Sequence, residues 1–126
     1  GYFTWHADDA PPINPLGDLY KTQVWQLAQE LGVPSEIIEK PPTADLIEGQ
    51  TDEGDFGISY ERADRILEGI LRGFSSDQLA GFGFTSGEIA LVRKRLDSTH
   101  WKRRLPTVAM MSTTSIGEYY LRPVDY

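Results

Sequence analysis

Apolar residues recur at intervals of three and four positions in three segments of the chain, a spacing that predicts three amphipathic α-helices. The segments are residues 19–31, 60–72 and 86–103. On a helix, residues at these intervals form one stripe that faces the protein core. The stripes consist of Val24, Leu27, Ala28 and Leu31 in the first helix, of Ala63, Ile66, Leu67, Ile70 and Leu71 in the second, and of Ile89, Val92 and Leu96 in the third.

Residues that favour helix N-termini stand at the start of each segment. Asp18 is the predicted N-cap of the first helix and Ser59 that of the second. Thr85 and Glu88 have the spacing of a capping box, which predicts the start of the third helix. The predicted ends are Gly32 with Pro34, then Gly73, and about Arg103 before Pro106.

The remaining segments predict short turns and loops. Ser35 is expected to cap one turn over residues 36–40, and Ser76 to start a short helix through Ala80. Residues 1–18 contain three of the prolines and predict a loop, with a short extended piece at Ile13–Leu16. The tail, residues 107–126, is also predicted as loop. The fold class is therefore mostly α, with almost no strand.

One long segment fits neither a helical nor a strand period. It is KPPTADLIEGQTDEGDFGISY, residues 40–60, with two adjacent prolines and three glycines. We predict a loop without secondary structure of its own. Long loops of this kind are uncommon in compact domains and are usually either functional or disordered.

Composition narrows the possible partners. The chain has 126 residues, enough for one domain, with a formal net charge of -7 and no cysteine. The acidic balance argues against broad binding to nucleic acid or to anionic membranes, which depends on excess positive charge. The lack of cysteine excludes disulfides and thiolate metal sites, and fits a cytoplasmic protein. No apolar run approaches the length of a membrane span.

A basic run departs from this global acidity. Residues 93–104, RKRLDSTHWKRR, hold half of the Lys and Arg residues. Trp101 beside Lys102 would suit a phosphate or a stacked base. The alternative, favoured by periodicity, is a solvated helix face with Trp101 packed in the core. Residues 75–96 also have the outline of a helix-turn-helix, although the net charge makes a nucleic-acid binder the weaker interpretation.

Acidic residues concentrate in the long loop. Carboxylates there could contribute one or two ligands to Mg²⁺, but most acidic loops are solvated surface. The two histidines are too far apart to form a metal pair, and the chain contains neither a nucleophile elbow nor a P-loop. No metal ligand is expected within the chain itself. The acidic residues of the loop are Asp45, Glu48, Asp52, Glu53 and Asp55.

Three stretches in a particular order carry a resemblance to a known family. They are NPLGDLYKTQVWQLAQELGVP, IIEKPPTADLIEGQTDEGDFGISYERADRILEG and KRRLP. Together they resemble the C-terminal part of NAD synthetases, particularly the short, ammonia-dependent type. The resemblance implies a ligase that uses ATP and Mg²⁺ to adenylate deamido-NAD, after which ammonia displaces AMP and forms a C–N bond. It also implies an α/β Rossmann-like fold, of the adenine nucleotide alpha hydrolase type, and a homodimer.

The resemblance assigns nucleotide-binding roles residue by residue. The family's ATP-contacting lysine falls on Lys21, and its ATP-contacting threonine falls on Thr43. The substrate-loop acid falls on Asp8, which the resemblance implies to be catalytic and to contact deamido-NAD. The family's His-Lys pair, which contacts the same substrate, falls on Trp101 and Lys102. From the residues alone, Lys21 is a first-turn surface residue and Thr43 a turn hydroxyl that satisfies a nearby backbone amide.

The same resemblance implies that the long loop is a functional segment. Asp52, Glu53 and Asp55 align with the family's acidic loop and are implied to act near ammonia or metal. The loop would then cover the substrates, with Thr43 at its base and Ser59 at its far end. In a chain that lacks the rest of the nucleotide site, we expect this lid to be poorly ordered or displaced.

Several positions depart from the family pattern. Trp5 stands where the family often has lysine, Ala7 and Asp9 replace the glycines that flank Asp8, and Pro12 replaces a substrate-contacting aspartate. Trp101 replaces the histidine of the His-Lys pair. These departures put the details of deamido-NAD recognition in question.

The family's Ser-Gly-Gly-x-Asp-Ser nucleotide loop does not occur in the sequence. We therefore expect residues 1–126 to be a C-terminal segment of an NAD synthetase domain that is inactive alone. The alternative from another functional class is a non-catalytic helical interaction module derived from this family.

Overall fold

The computed structural model describes residues 2–5, 7 and 12–104, and within these residues the regular structure is helical. The short helix α3 lies inside the segment predicted to be a loop without structure. The helices are α1 (Lys21–Glu30), α2 (Ser35–Ile38), α3 (Asp52–Phe56), α4 (Tyr60–Leu71), α5 (Ser76–Gly81) and α6 (Ser86–Ser98), followed by a 3₁₀ helix at His100–Arg103. The mostly α fold class is confirmed for this part of the chain. The tail, residues 107–126, lies outside the described residues.

Helix α4 is the central element, since it contacts α1 on one side and α6 on the other. Its Ile66 is fully buried, and with Leu79 of α5 and Ile89 of α6 it forms the centre of a small core. Burying each of these side chains contributes about 1.5–3 kcal/mol to stability. Ile58 and Val92 complete the buried set, and partly buried apolar residues from α3, α4, α6 and the intervening turns surround it.

The predicted capping signals of α4 and α6 are confirmed. The Ser59 hydroxyl accepts a hydrogen bond from Arg62 N–H at the start of α4. The Thr85 hydroxyl accepts from Glu88 N–H at 3.2 Å, and the Glu88 carboxylate accepts from Thr85 N–H at 2.8 Å, which is the predicted capping box. Gly73 follows α4 with a φ of 84°, in the left-handed region that glycine adopts most readily.

Helix α1 begins later than predicted, because Asp18 is not its N-cap. Residues 14–19 form two tight turns instead of the extended piece expected at Ile13–Leu16. One local and one distant acceptor hold the first turn of α1: the Gln23 side chain accepts from Tyr20 N–H, and the Asp64 carboxylate of α4 accepts from Thr22 N–H, both at 2.9 Å. A distant carboxylate thus replaces the local cap.

Three other boundary or burial predictions are wrong. Ser35 is the first residue of α2 rather than its cap; the preceding Pro34, with φ near -53°, has the backbone geometry for that flanking position. Helix α6 ends at Ser98; beyond it Lys102 N–H donates to Thr99 O, three positions back, and the chain tightens into the 3₁₀ helix. Leu31 and Leu71, expected to face the core, are 71% and 66% exposed.

A substitution at Gly69 tests the close packing between α4 and α5. A Cβ atom at this buried position would lie 2.5 Å from Leu79 Cδ2, and Leu79 is only 1% exposed. We expect Gly69→Ala to lower the free energy of unfolding by about 1 kcal/mol, because overpacking costs more than the gain in helix propensity. Gly81→Ala is the matched control, since nothing lies within 4 Å of its added Cβ. Urea unfolding followed by circular dichroism measures both; equal stabilisation by the two variants would contradict the packing argument.

The pair formed by Glu88 and Arg62 predicts a specific dependence of stability on pH. The Arg62 guanidinium, and then the Thr85 N–H and hydroxyl, lower the pKa of Glu88 from 4.5 to about 2. The folded state therefore binds this proton less readily than the unfolded state, so the stabilising contribution is present above pH 4.5 and is lost as the pH falls through about 2. We expect Glu88→Gln to be less stable than wild type near neutral pH and to lose less stability on acidification. Urea unfolding at about pH 6 and about pH 3 measures this, with the exposed Glu61→Gln as control.

Candidate functional site

The predicted catalytic acids lie on α3, a helix of only five residues. The Thr51 hydroxyl accepts from Gly54 N–H at its start, and Gly57, with φ 74°, ends it. Asp52, Glu53 and Asp55 all fall in the first turn, where the helix dipole favours negative charge. The sequence pattern Thr-Asp-Glu-Gly-Asp therefore contains its own helix-start signal, which was obscured by Gly54 within the helix and Gly57 after it.

Tyr60, the first residue of α4, holds two of these acids. Its hydroxyl donates to Asp52 Oδ2 at 2.8 Å, and its backbone N–H donates to Glu53 Oε1 at 2.7 Å. Burial, and then the hydrogen bond to Asp52, raise the pKa of the Tyr60 phenol well above its usual range. The phenol is therefore a fixed donor at neutral pH. The other carboxylate oxygen of Asp52 is buried and accepts no hydrogen bond from the described residues.

Asp55 is held by different partners. Its Oδ2 accepts from the Tyr2 hydroxyl at 2.6 Å and from Gln50 Nε2 at 2.7 Å. These two hydrogen bonds, that of Tyr2 first, lower the pKa of the Asp55 carboxyl. The Arg95 guanidinium of α6 donates to the Asp55 carbonyl oxygen. The structure therefore ties the acidic helix both to the start of the chain and to α6.

Four aromatic rings and one lysine form a continuous group that we call the aromatic array. The ring centroids of Tyr2 and Phe56 are 4.6 Å apart, those of Phe56 and Tyr60 5.1 Å, and those of Tyr60 and Trp25 5.9 Å, each pair edge to face. Lys21 Nζ lies 6.0 Å from the Trp25 ring and 5.9 Å from the Tyr60 ring. The predicted ATP-contacting lysine is thus linked through Tyr60 to the predicted catalytic acids.

A cleft with a volume of about 450 Å³ lies beside the array. Residues of α1, of α2 and the turn after it, and of α3 form its walls. Trp25 and Glu53 belong both to this cleft and to the contacts that surround Tyr60. The lining residues are Trp25, Gln29, Ile38, Glu39, Lys40, Pro41, Pro42, Thr51 and Glu53.

Thr43 follows this cleft along the chain. Its hydroxyl accepts from Asp45 N–H at 3.0 Å, where Asp45 has a φ of 55°. This is the turn role that the residues alone suggest. Further contacts order the segment: Asp52 N–H donates to Pro42 O at 2.9 Å, and Leu46 N–H donates to Gln50 Oε1 at 3.1 Å. The segment is therefore joined by its own hydrogen bonds, and its role as a lid stays a prediction.

Trp101 and Lys102 lie in the 3₁₀ helix and contact the start of the chain. Trp101 is 45% exposed and packs edge to face on Trp5 at 5.2 Å, so its expected core position is wrong. Its indole N–H donates to Ser98 O. Lys102 Nζ donates to Phe3 O at 2.7 Å and lies 5.4 Å from the Phe3 ring. The predicted deamido-NAD residue Asp8 lies outside the described residues.

The described acids do not gather into a metal site. Among residues 2–5, 7 and 12–104, no group of three or more His, Asp or Glu side chains is placed to hold a metal ion. The carboxylates of Asp52, Glu53 and Asp55 each accept hydrogen bonds from protein donors. Within the same residues, no helix is both long enough and apolar enough to cross a membrane.

The sequence analysis did not identify Tyr2, Trp25, Phe56 and Tyr60 as site residues. One usable signal was present, since Lys21 and Trp25 are four positions apart on α1 and therefore neighbours on its surface. The contacts of Tyr2 and Tyr60 join different elements, so no pattern of neighbouring residues in the sequence predicts them.

Comparison with known proteins gives consistent results. Residues 1–106 match the sequence profile of the family described as NAD synthase. The NH(3)-dependent NAD(+) synthetase of Trichlorobacter lovleyi is 43% identical over 100% of this chain and 46% of that protein. The corresponding protein of Chlorobaculum parvum is 44% identical over 93% of this chain and 43% of its own length. The structure of NMN synthetase from Francisella tularensis superimposes with a TM-score of 0.67 at 31% identity, covering 86% of this chain and 40% of that one. The chain spans less than half the length of each of these proteins.

Proposed function

The chain belongs to the NAD synthase family, and we propose that it is the C-terminal part of a ligase that amidates deamido-NAD to NAD with ATP and ammonia. The named function of the relatives supports this reaction. The observation that carries the proposal is the link through Tyr60 between Lys21, the predicted ATP-contacting residue, and the acids of α3. A reaction between ATP and a second substrate requires the cation that contacts ATP and the acids of α3 to lie close together.

The chemistry proceeds in two steps. In the first, a carboxylate oxygen of deamido-NAD attacks the α-phosphorus of ATP, and pyrophosphate leaves. In the second, ammonia attacks the resulting acyl carbon; AMP leaves, and the nitrogen loses a proton to give the amide. The first step needs positive charge near the phosphates, and the second needs a site from which water is excluded.

The residues of this chain would bind and orient the substrates. Lys21 would place a point charge near the ATP phosphates, and Thr43 would contact the nucleotide from the base of the acidic segment. The acids of α3 would receive and orient ammonia. Mg²⁺ would arrive with the ATP phosphates as part of the substrate complex.

Deamido-NAD would contact Asp8, Trp101 and Lys102. Lys102 lies in the 3₁₀ helix with a nearby exposed indole, an arrangement suited to a phosphate next to a stacking surface.

We also propose the setting of the intact protein. The helical chain would complete an α/β Rossmann-like fold whose sheet and nucleotide loop lie in the other half. The intact enzyme would be a cytoplasmic homodimer. Exposed apolar side chains such as Ile37 and Leu71, at 65% and 66% exposure, support burial against further protein.

A second candidate substrate is the mononucleotide form of the same nicotinate compound. The structural similarity to an NMN synthetase favours it. The same chemistry applies to either substrate, and direct competition between them separates the two.

The central prediction concerns the intact protein, expressed with the full coding region around this chain. With ATP, Mg²⁺ and ammonia, we expect it to convert deamido-NAD to NAD, measured by coupled reduction with a dehydrogenase. We expect residues 1–126 alone to form no NAD. Preferred conversion of the mononucleotide would favour the second candidate. An inactive intact protein would indicate the non-catalytic interaction module instead, and robust activity of residues 1–126 alone would contradict the need for the missing half.

Lys21→Met in the intact protein tests the nucleotide role. We expect the KM for ATP to rise about 10-fold, because a hydrogen bond between charged groups is lost, with a smaller change in the KM for deamido-NAD. Steady-state kinetics with each substrate varied in turn measures this split. Lys94→Met, on the exposed surface of α6, is the matched control. An unchanged KM for ATP in Lys21→Met would contradict the assignment.

A further inference from the structure

Tyr60 contacts both sets of groups that the proposed reaction uses. Its hydroxyl and its backbone N–H bind Asp52 and Glu53, and its ring lies 5.9 Å from Lys21 Nζ. We propose that Tyr60 is a positioning residue, which sets α3 with its hydroxyl and backbone and sets the Lys21 ammonium with its ring. This inference rests on the proposed function, because it concerns the placement of groups in that reaction.

The hydroxyl determines the orientation of Asp52. It donates to Oδ2 at 2.8 Å, and this leaves Oδ1 buried with no partner among the described residues. A carboxylate fixed through one oxygen also has the direction of its other oxygen fixed. Burial, and then the hydrogen bond to Asp52, raise the pKa of the Tyr60 phenol, so its hydroxyl is a hydrogen-bond donor at neutral pH.

The backbone N–H of Tyr60 fixes the second acid. Glu53 Oε1 accepts this hydrogen bond at 2.7 Å across the turn that joins α3 to α4. Because the donor belongs to the main chain, side-chain substitutions at position 60 leave it in place. The hydroxyl and ring of Tyr60 can therefore be tested without removing the bond to Glu53.

The ring restricts the predicted ATP-contacting lysine. Lys21 Nζ lies at nearly equal distances from the Trp25 and Tyr60 rings, which meet edge to face at 86°. Attraction between the ammonium and both rings reduces the number of positions that the flexible side chain adopts. Since an ammonium has three donors, this attraction leaves donors available to a phosphate.

A purely structural role would need only the ring. Tyr60 packs edge to face on Phe56 at 5.1 Å, and phenylalanine would keep that contact, the contact with Trp25 and the attraction to Lys21. The hydroxyl and the ring therefore make separable contributions under the proposal. Tyr60→Phe removes the first alone, and Tyr60→Leu removes both.

The test is made in the intact protein with steady-state kinetics. We expect Tyr60→Phe to lower kcat about 10-fold and to leave the KM for ATP within about two-fold of wild type. We expect Tyr60→Leu to raise the KM for ATP by a further 2- to 5-fold or so, the range of one lost cation–π contact. Tyr20→Phe, which removes the same atom from a half-buried tyrosine outside the array, is the matched control and should leave both parameters unchanged.

A second measurement uses residues 1–126 alone and depends on no activity. Amide hydrogen exchange in α3 should accelerate in Tyr60→Phe and stay unchanged in Tyr20→Phe, because only the first loses a hydrogen bond to that helix. Three results would each overturn the proposal. They are equal kinetic effects of the Phe and Leu variants, a loss of kcat that only follows the fraction of unfolded protein, and unchanged hydrogen exchange in α3. An inactive intact wild type would refute the proposed function, while the exchange result would still decide whether Tyr60 holds α3.

Discussion

The described structure depends on helix α4, which contacts α1 and α6 and, through single residues, α3 and α5. One face supplies Ile66 to the buried core, and Gly69 lets Leu79 approach the helix closely. Its polar residues bind neighbouring helices: Tyr60 binds the acids of α3, and Arg62 binds Glu88 at the start of α6. A core with few buried residues provides limited stabilisation, so the placement of the remaining elements depends on these hydrogen bonds and on aromatic contacts.

The acidic helix α3 shows how this support works. A helix of five residues is far too short to be stable by itself, because the cost of forming its first turn exceeds what so few hydrogen bonds return. It persists because Thr51 caps it, Tyr60 holds its acids, and Arg95 reaches its last turn from α6. The charged groups of the proposed site are therefore placed by residues outside it, which is the general requirement for a site that must hold its geometry.

The parts of the fold that the sequence predicted correctly are those specified by neighbouring residues. Ser59, Thr85 with Glu88, and Gly73 act on backbone groups within four positions, so their patterns were sufficient. The start of α1 at Lys21 and the exposure of Leu71 were not predictable in this way. Both depend on which surfaces other elements cover, and that is a property of the assembled chain.

The candidate site shows the same difference between what the sequence predicts and what only the folded chain reveals. Lys21 and Thr43 were named as site residues only through resemblance to a family, whereas the α3 acids were also noted from the residues alone as possible Mg²⁺ ligands. The roles that the resemblance gives them stay proposals. The resemblance did not reveal the aromatic array. Its contacts connect residues 2, 25, 56 and 60, which only the folded chain brings together. Helix α3 was missed because the two glycines in and after it outweighed the signal of the Thr51 cap.

The hydrogen bond from Thr22 N–H to Asp64 spans 42 positions of sequence. Helix α1 has no acidic residue in its own first turn, so its favourable negative charge is supplied by α4. Formation of α1 is therefore coupled to the docking of α4, and the two helices should order together during folding. Lys21 begins that helix, so the cation that the reaction would use gains its position only when α1 and α4 are docked together.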